Sequence, residues 1–358
     1  MRILFAALAT AGLAAPTASA APLEAMVQLR LQGQSIEGMP LAWDARKVHL
    51  LSRDGRLWEF APNEAAEFRQ TANRFRCYSP SEFRAALLRE LGGQFEVSGT
   101  GHYLVAHPRG QRDRWAQRFE DLYRSFVHYF SVRGLRPQTP PFPLVGIVCR
   151  NRQQFDQYSA SQGLPAASGV LGFYALKSNR ISLYDRGDAG ESDAWQKTAS
   201  VILHEATHQV AFNTGLHNRH APPPLWVAEG LATLFEAPGV YDSRHHTQRS
   251  DRINRGRFRD FRQAVAPNHK PELLQSIVAS DQLFRASPGA AYAEAWALTF
   301  FLVETQPRKY SDYLARTAAR PPFTDYTTDE RVADFTTVFG DDWRMLEARF
   351  LRFMAGLK

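Results

Sequence analysis

The run Val201-Ile-Leu-His-Glu-Ala-Thr-His-Gln-Val210 constrains this chain more than any other stretch. It carries an HExxH pattern set in apolar residues. Positions four apart share one face of a helix, so His204 and His208 can reach a single ion. Glu205 is then placed to reach a water beside that ion. Val201 to Leu203 on one side and Val210-Ala211 on the other predict a buried helix facing a cleft. Two hydrogen-bonded core histidines are the plainer reading, and only further context decides against it.

That context is Leu225-Trp-Val-Ala-Glu229-Gly-Leu-Ala-Thr-Leu-Phe-Glu236. The stretch predicts a separate helix, which can return past the first and bring Glu229 to the same ion. An ionised Glu beside Leu225 and Trp226 otherwise needs a partner. Two His and one carboxylate with an open fourth position form a catalytic zinc shell. Thr233 and Glu236 follow on the same helix, and either can orient a ligating imidazole.

Taken together, His204-Glu205-x-x-His208 and Trp226-x-x-Glu229-Gly-x-Ala232 resemble the gluzincins of the peptidase MA clan. The nearest likeness is to exported bacterial families with a peptidase MA-like core. Thr207 and Thr214-Gly215-Leu216 are similar to the corresponding positions of thermolysin-type enzymes. The resemblance implies an α+β, zincin-like catalytic core: a mixed sheet followed by a helical half that carries HExxH. It also implies one Zn²⁺ per chain on His204, His208 and Glu229, with Glu205 as general base in peptide hydrolysis.

Two further roles come only from the resemblance. Tyr292, opening Tyr-x-x-Ala-Trp-Ala297, is expected near the substrate carbonyl, where its hydroxyl can donate to a developing oxyanion. Packing against Trp296 one turn on is the competing reading. The hairpin over Gly172 to Tyr184 precedes the zinc helix, as the substrate-aligning strand does in this clan; an ordinary sheet edge is the alternative. The Gly-x-Met-Glu-Asn motif of the related aminopeptidases is missing, so a dedicated amino-terminus recogniser is not expected.

Residues 1–20 predict a signal peptide, with a basic Arg2, a short apolar run and Ala18-Ser19-Ala20 as the cleavage site. Export to the periplasm or the medium is the expectation. In an oxidising compartment Cys77 and Cys149, the only two cysteines, either pair or stay as buried thiols. No later apolar run is long enough to span a bilayer, since Ala290 to Val303 is short and contains Glu294. The net charge is +7, but acidic residues are interspersed and no nucleic-acid motif is present. The expected partner is a peptide or protein substrate, not a nucleic acid.

The remaining organisation follows from periodicity. Residues 21–75 alternate in short runs, with a turn at Asp54-Gly55 between Val48–Leu51 and Leu57–Phe60, and predict a small β-rich module. Residues 76–190 predict an α/β half, with an aromatic-striped helix from Arg112 to Phe130 and a hairpin turning at Ser178-Asn179. Residues 191–358 predict the helical half. His217 and His220 fall close enough to the motif to touch a substrate. Asn254, Arg255 and Arg257 lie in an Arg-rich stretch that is either a solvated face or a contact for a substrate carboxylate. Three functional classes fit the sequence. The first is an exported zinc metallopeptidase. The others are a zinc-retaining binding or assembly protein of the envelope, and an amidase on envelope polymers.

Overall fold

The computed structural model of the chain describes residues 24–110, 112–163, 170–185, 192–268 and 272–357. The expected signal peptide, residues 1–20, lies outside the described residues. The fold is α+β: two five-stranded sheets come first and a helical half follows.

The first sheet contains β1 (Met26–Leu31), β2 (Gln34–Trp43), β3 (Val48–Ser52), β4 (Leu57–Phe60) and β5 (Ala65–Ala72), ordered β4-β3-β2-β1-β5 with antiparallel pairing. Alternation puts Val27, Leu29, Leu31, Ile36, Val48, Leu50 and Phe60 into one small core. The β3–β4 turn needs positive φ, and Gly55 supplies it at +83°.

Helix α1 (Pro80–Leu91) opens with a capping box, in which Ser79 and Glu82 satisfy each other's backbone donors. The second sheet comprises β6 (Phe95–Gly99), β7 (Tyr103–Pro108), β8 (Leu144–Cys149), β9 (Gly172–Ala175) and β10 (Arg180–Tyr184), interleaved with α2 (Arg112–Ser131) and α3 (Arg152–Ser161). Its order is β6-β7-β8-β10-β9. The inner pairs β7–β8 and β8–β10 are parallel, and both outer pairs are antiparallel. β9 is therefore an edge strand.

Period-two alternation divides this sheet between two cores. Tyr103, Val105, Leu144, Val148, Ile181 and Leu183 face α2 and the helical half, while Leu104, Ala106, Val145, Ile147 and Cys149 pack with Phe83, Leu87 and Phe155 of α1 and α3. The thiols are not paired: Cys149 is buried in β8, and the Cys77 thiol donates to the Pro141 carbonyl at 2.9 Å.

The helical half contains α4 (Ser192–Asn213), α5 (Leu225–Phe235), α6 (Pro238–Tyr241), α7 (Arg255–Asp260), α8 (Leu273–Ala279), α9 (Gln282–Ala286), α10 (Pro288–Thr305), α11 (Pro307–Ala318), α12 (Thr328–Phe339) and α13 (Trp343–Ala355). α4 ends before Gly215, which takes φ +81°. α10 is buried almost throughout, and α5 packs on it at Gly230, where a Cβ would meet the Ala295 carbonyl at 2.6 Å. At the sheet side, Gly172 lets β9 close on α4, since a Cβ there would lie 2.7 Å from Val201 Cγ1. Among the described residues no helix is long and apolar enough to cross a membrane.

Candidate metal centre

His204 and His208 project from the same face of α4, one turn apart, and Glu229 meets them from α5. Among the described residues these three form a group whose ligand atoms all lie within 4.8 Å of one another. His204 Nε2 lies 3.2 Å from His208 Nε2 and 3.2 Å from Glu229 Oε2, and His208 Nε2 lies 3.4 Å from the same oxygen. A tetrahedral zinc with ligands at ~2.0–2.1 Å separates its ligand atoms by about 3.3 Å. The donor set, its spacing and its partial solvent access, with side chains 11–16% exposed, therefore fit a metal ion with an open position.

Charge organises the group. Burial works to raise the Glu229 carboxyl, but His208 and His204 hold it well below the usual range. Burial works against a charge on His204, yet hydrogen bonds to Glu229 and Glu236 bring it up to about 10. Those two carboxylates thus hold a positive charge where a cation would sit. His204 Nδ1 donates to Glu236 Oε1 at 2.8 Å, which leaves Nε2 turned toward Glu229 and His208. Glu236 also accepts from Asn254 Nδ2 at 2.7 Å. Thr233, the other candidate on this helix, bonds instead to its own backbone at Glu229 O, 2.7 Å away.

Glu205 turns to the edge of the second sheet. Its Oε2 accepts the backbone N–H of Tyr174 in β9 at 2.8 Å. Burial raises its carboxyl above the ordinary value, more than His204 and His208 lower it. The hairpin carrying Tyr174 is fixed through its turn residue Asn179, at φ +58°. Asn179 exchanges amide hydrogen bonds with Asn213 of α4, at 2.9 and 2.7 Å, and accepts from the Tyr174 hydroxyl at 2.7 Å. Its carbonyl accepts from Gln209 Nε2 at 2.8 Å. Sequence reasoning missed this lattice. Asn at a tight turn is its only sequence signal, since the partners are distant in the chain.

Tyr292, at the start of α10, lies beside the metal group. Its ring centroid is 6.2 Å from that of His204, and Arg257 covers its ring at 5.1 Å. Burial and the charges of Glu229 and Glu205 push its phenol well above the usual value. Its closest aromatic partner across α9 is Phe284 at 5.6 Å.

Several other candidates are spent elsewhere. Asn254 binds Glu236 and the Thr233 carbonyl and caps α7, so it is structural and not a substrate contact. His217 is buried, its Nδ1 donating to Leu216 O at 3.0 Å, and burial brings it down to about 3.

Residues 198–324 match the sequence family described as "Protein of unknown function (DUF1570)". A search of curated proteins gives no match. The matched stretch holds His204, Glu205, His208, Glu229, Glu236, Asn254 and Tyr292, and leaves out both sheets.

Proposed function

We propose that this chain is an exported zinc metallopeptidase of gluzincin type, hydrolysing peptide bonds with Glu205 as general base. The observation that carries the reading is the near-equilateral triangle of His204, His208 and Glu229 donor atoms, with a buried carboxylate, Glu205, held beside it. Zinc in such a shell supplies Lewis acidity and lowers the pKa of water to about 7. Glu205 takes the proton of the attacking water and delivers it to the leaving amine. Burial raises its carboxyl above the ordinary value, which favours holding the proton between the two halves of that transfer. Glu236 and Asn254 keep His204 in the tautomer and orientation that ligation needs. Tyr292 donates to the developing oxyanion once Glu229 is engaged by the ion. β9, as the edge strand of its sheet, is where an extended substrate would add by backbone pairing.

Metal analysis of purified residues 21–358 beside His204→Ala, followed by peptide hydrolysis assays beside Glu205→Gln, tests the reading. It requires one zinc per chain, lost in the first variant, and turnover that disappears in the second while zinc remains. Zinc without turnover on any peptide would make the chain a binding protein. Absence of zinc after reconstitution would remove the metal site itself.

A further inference from the structure

One end of the β9 edge is bridged. At the turn after β9, the Lys177 carbonyl accepts the N–H of Leu57 from β4 at 2.7 Å, and Lys177 Nζ contacts Glu59 at 2.6 Å. Glu59 faces His49 across the β3–β4 ladder, 3.5 Å away. His49 stacks on Phe323, from the segment between α11 and α12, with ring centroids 3.8 Å apart. Phe323 N–H donates to the His220 carbonyl at 2.7 Å, in the loop after α4. The chain Lys177–Glu59–His49–Phe323–His220 thus runs from the edge-strand hairpin, through the N-terminal sheet, to the helical half. It crosses beyond the C-terminal end of α4, where Asn213 meets Asn179.

Just inside that bridge lies Arg219. Its guanidinium lies close enough to the Tyr174 side chain for the two to act on each other electrostatically. Among the described residues it has no ion pair, and Nη1 is sealed from water without a partner. The nearby acids are committed: Glu59 to Lys177 and His49, and Asp54 to Arg180 and Ser52. Burial and Arg219 bring His220 down to about 4, so it adds no charge of its own. An arginine keeps its charge at any working pH. Tyr174 stands between this cation and the base, since its side chain is close to Arg219 and its backbone N–H donates to Glu205 at 2.8 Å.

We propose that the N-terminal sheet closes the substrate groove at the Lys177 end and that Arg219, just inside, binds a carboxylate of the substrate. The cleavage of a bound substrate rests on the metallopeptidase reading; the binding itself does not. A closed end admits a chain terminus or a short side branch rather than a polypeptide running through. An unpaired guanidinium favours a carboxylate there and disfavours an ammonium group. The carboxylate is either the carboxyl terminus or an acidic side chain close to it.

Binding of fluorescent synthetic peptides to the full mature chain in its zinc-loaded Glu205→Gln form tests this without turnover. One sequence is used in three forms: free carboxyl terminus, amidated terminus, and Glu exchanged for Gln at successive positions. Removing the recognised carboxylate is expected to weaken binding about ten- to hundred-fold in the Arg219-containing protein. The form that loses affinity identifies the source. Adding Arg219→Gln should erase that preference, while Arg219→Lys should keep part of it, both at unchanged melting temperature. A preference that survives Arg219→Gln overturns the proposal, and so does the absence of any carboxylate preference in the Arg219-containing protein. Internal cleavage far from both termini overturns the closed end. Preference without hydrolysis by the parent enzyme would sink the peptidase reading and leave the anchor standing. Hydrolysis with no change on losing Arg219 would do the reverse.

Discussion

His204 Nδ1 donates to Glu236 at 2.8 Å, and the other oxygen of Glu236 accepts from Asn254 at 2.7 Å. Three residues from α4, the end of α5 and the start of α7 thereby fix one imidazole. The Glu236→Ala substitution frees the ring and unties Asn254, while the three donors toward the ion remain. Zinc affinity is expected to fall about 10–100-fold, as second-sphere losses do. Competition with a chromogenic chelator reads it directly. Affinity within experimental error of the parent protein would show that Glu236 is ornamental.

Glu205 is the least replaceable group in the proposed reaction. Exchange for Gln keeps the size and the Tyr174 contact but removes the proton acceptor, so turnover should fall at least about 10²–10⁴-fold while zinc stays bound. The pH dependence has a definite sign. Burial raises the Glu205 carboxyl, and the base works only when ionised. The acid limb of kcat/KM is therefore expected to bend above the ordinary glutamate value of 4.5, losing activity as pH falls through it. An acid limb at or below that value would mean that another group is the base.

The meeting of His204, His208 and Glu229 was legible in the sequence because helix periodicity turns HExxH into geometry, and because Glu229 had no other partner among Leu225 and Trp226. The strands at Val27–Leu31, Val48–Leu51 and Leu57–Phe60 and the hairpin at Asn179 were legible as alternation with turn residues, whereas β2 and β5 were not. What stayed hidden depends on long-range contact. Nothing local in Tyr174 says that its N–H faces Glu205, and nothing in Arg219 says that it comes close to the Tyr174 side chain. Asn254 read as a surface residue of an Arg-rich stretch, yet the fold spends it on Glu236.

Tyr292 carries a prediction that separates chemistry from packing. The Tyr292→Phe substitution keeps the ring against Phe284 and under Arg257, and removes only the hydroxyl on which the Glu229 charge acts. If the hydroxyl stabilises the oxyanion, kcat should drop about 10²–10³-fold with KM and zinc content little changed. A rise in KM alone would make it a substrate contact, and a loss of zinc would make it part of the ligand scaffold.

The N-terminal sheet is joined to the second sheet by a buried ion pair. Arg180 of β10 contacts Asp54 of the β3–β4 turn at 3.2 Å and Glu90 of α1 at 2.6 Å, with the arginine side chain only 3% exposed. Removing the cation leaves Asp54 charged in a site that burial would otherwise keep neutral. The Arg180→Leu substitution is expected to cost about 3–5 kcal/mol, the usual penalty for orphaning a buried charge. Denaturant unfolding measures it. Asp54→Asn added to Arg180→Leu should recover part of the loss, and additive losses would argue that the two do not interact.

Glu294 offers a test of the core of the helical half that is independent of any metal. It is fully buried in α10, and both carboxyl oxygens lack a hydrogen-bond partner among the described residues. Burial, with the charge of Glu347 adding to it, pushes the carboxyl up to about 8. The folded state then binds a proton that the unfolded chain releases near 4.5. Stability is full below the unfolded value and declines as pH rises toward the folded one. The slope is ~1.4 kcal/mol per pH unit for one proton. Between pH 5 and pH 7 this group alone should remove about 3 kcal/mol. Glu294→Gln keeps the shape and cannot ionise, so whatever constant offset its buried amide carries, its slope from this position is zero. Unfolding free energies of the two proteins at several pH values should therefore diverge in favour of Glu294→Gln as pH rises. Parallel curves would mean that Glu294 ionises inside the fold at its ordinary pKa, and that a partner for it must exist there.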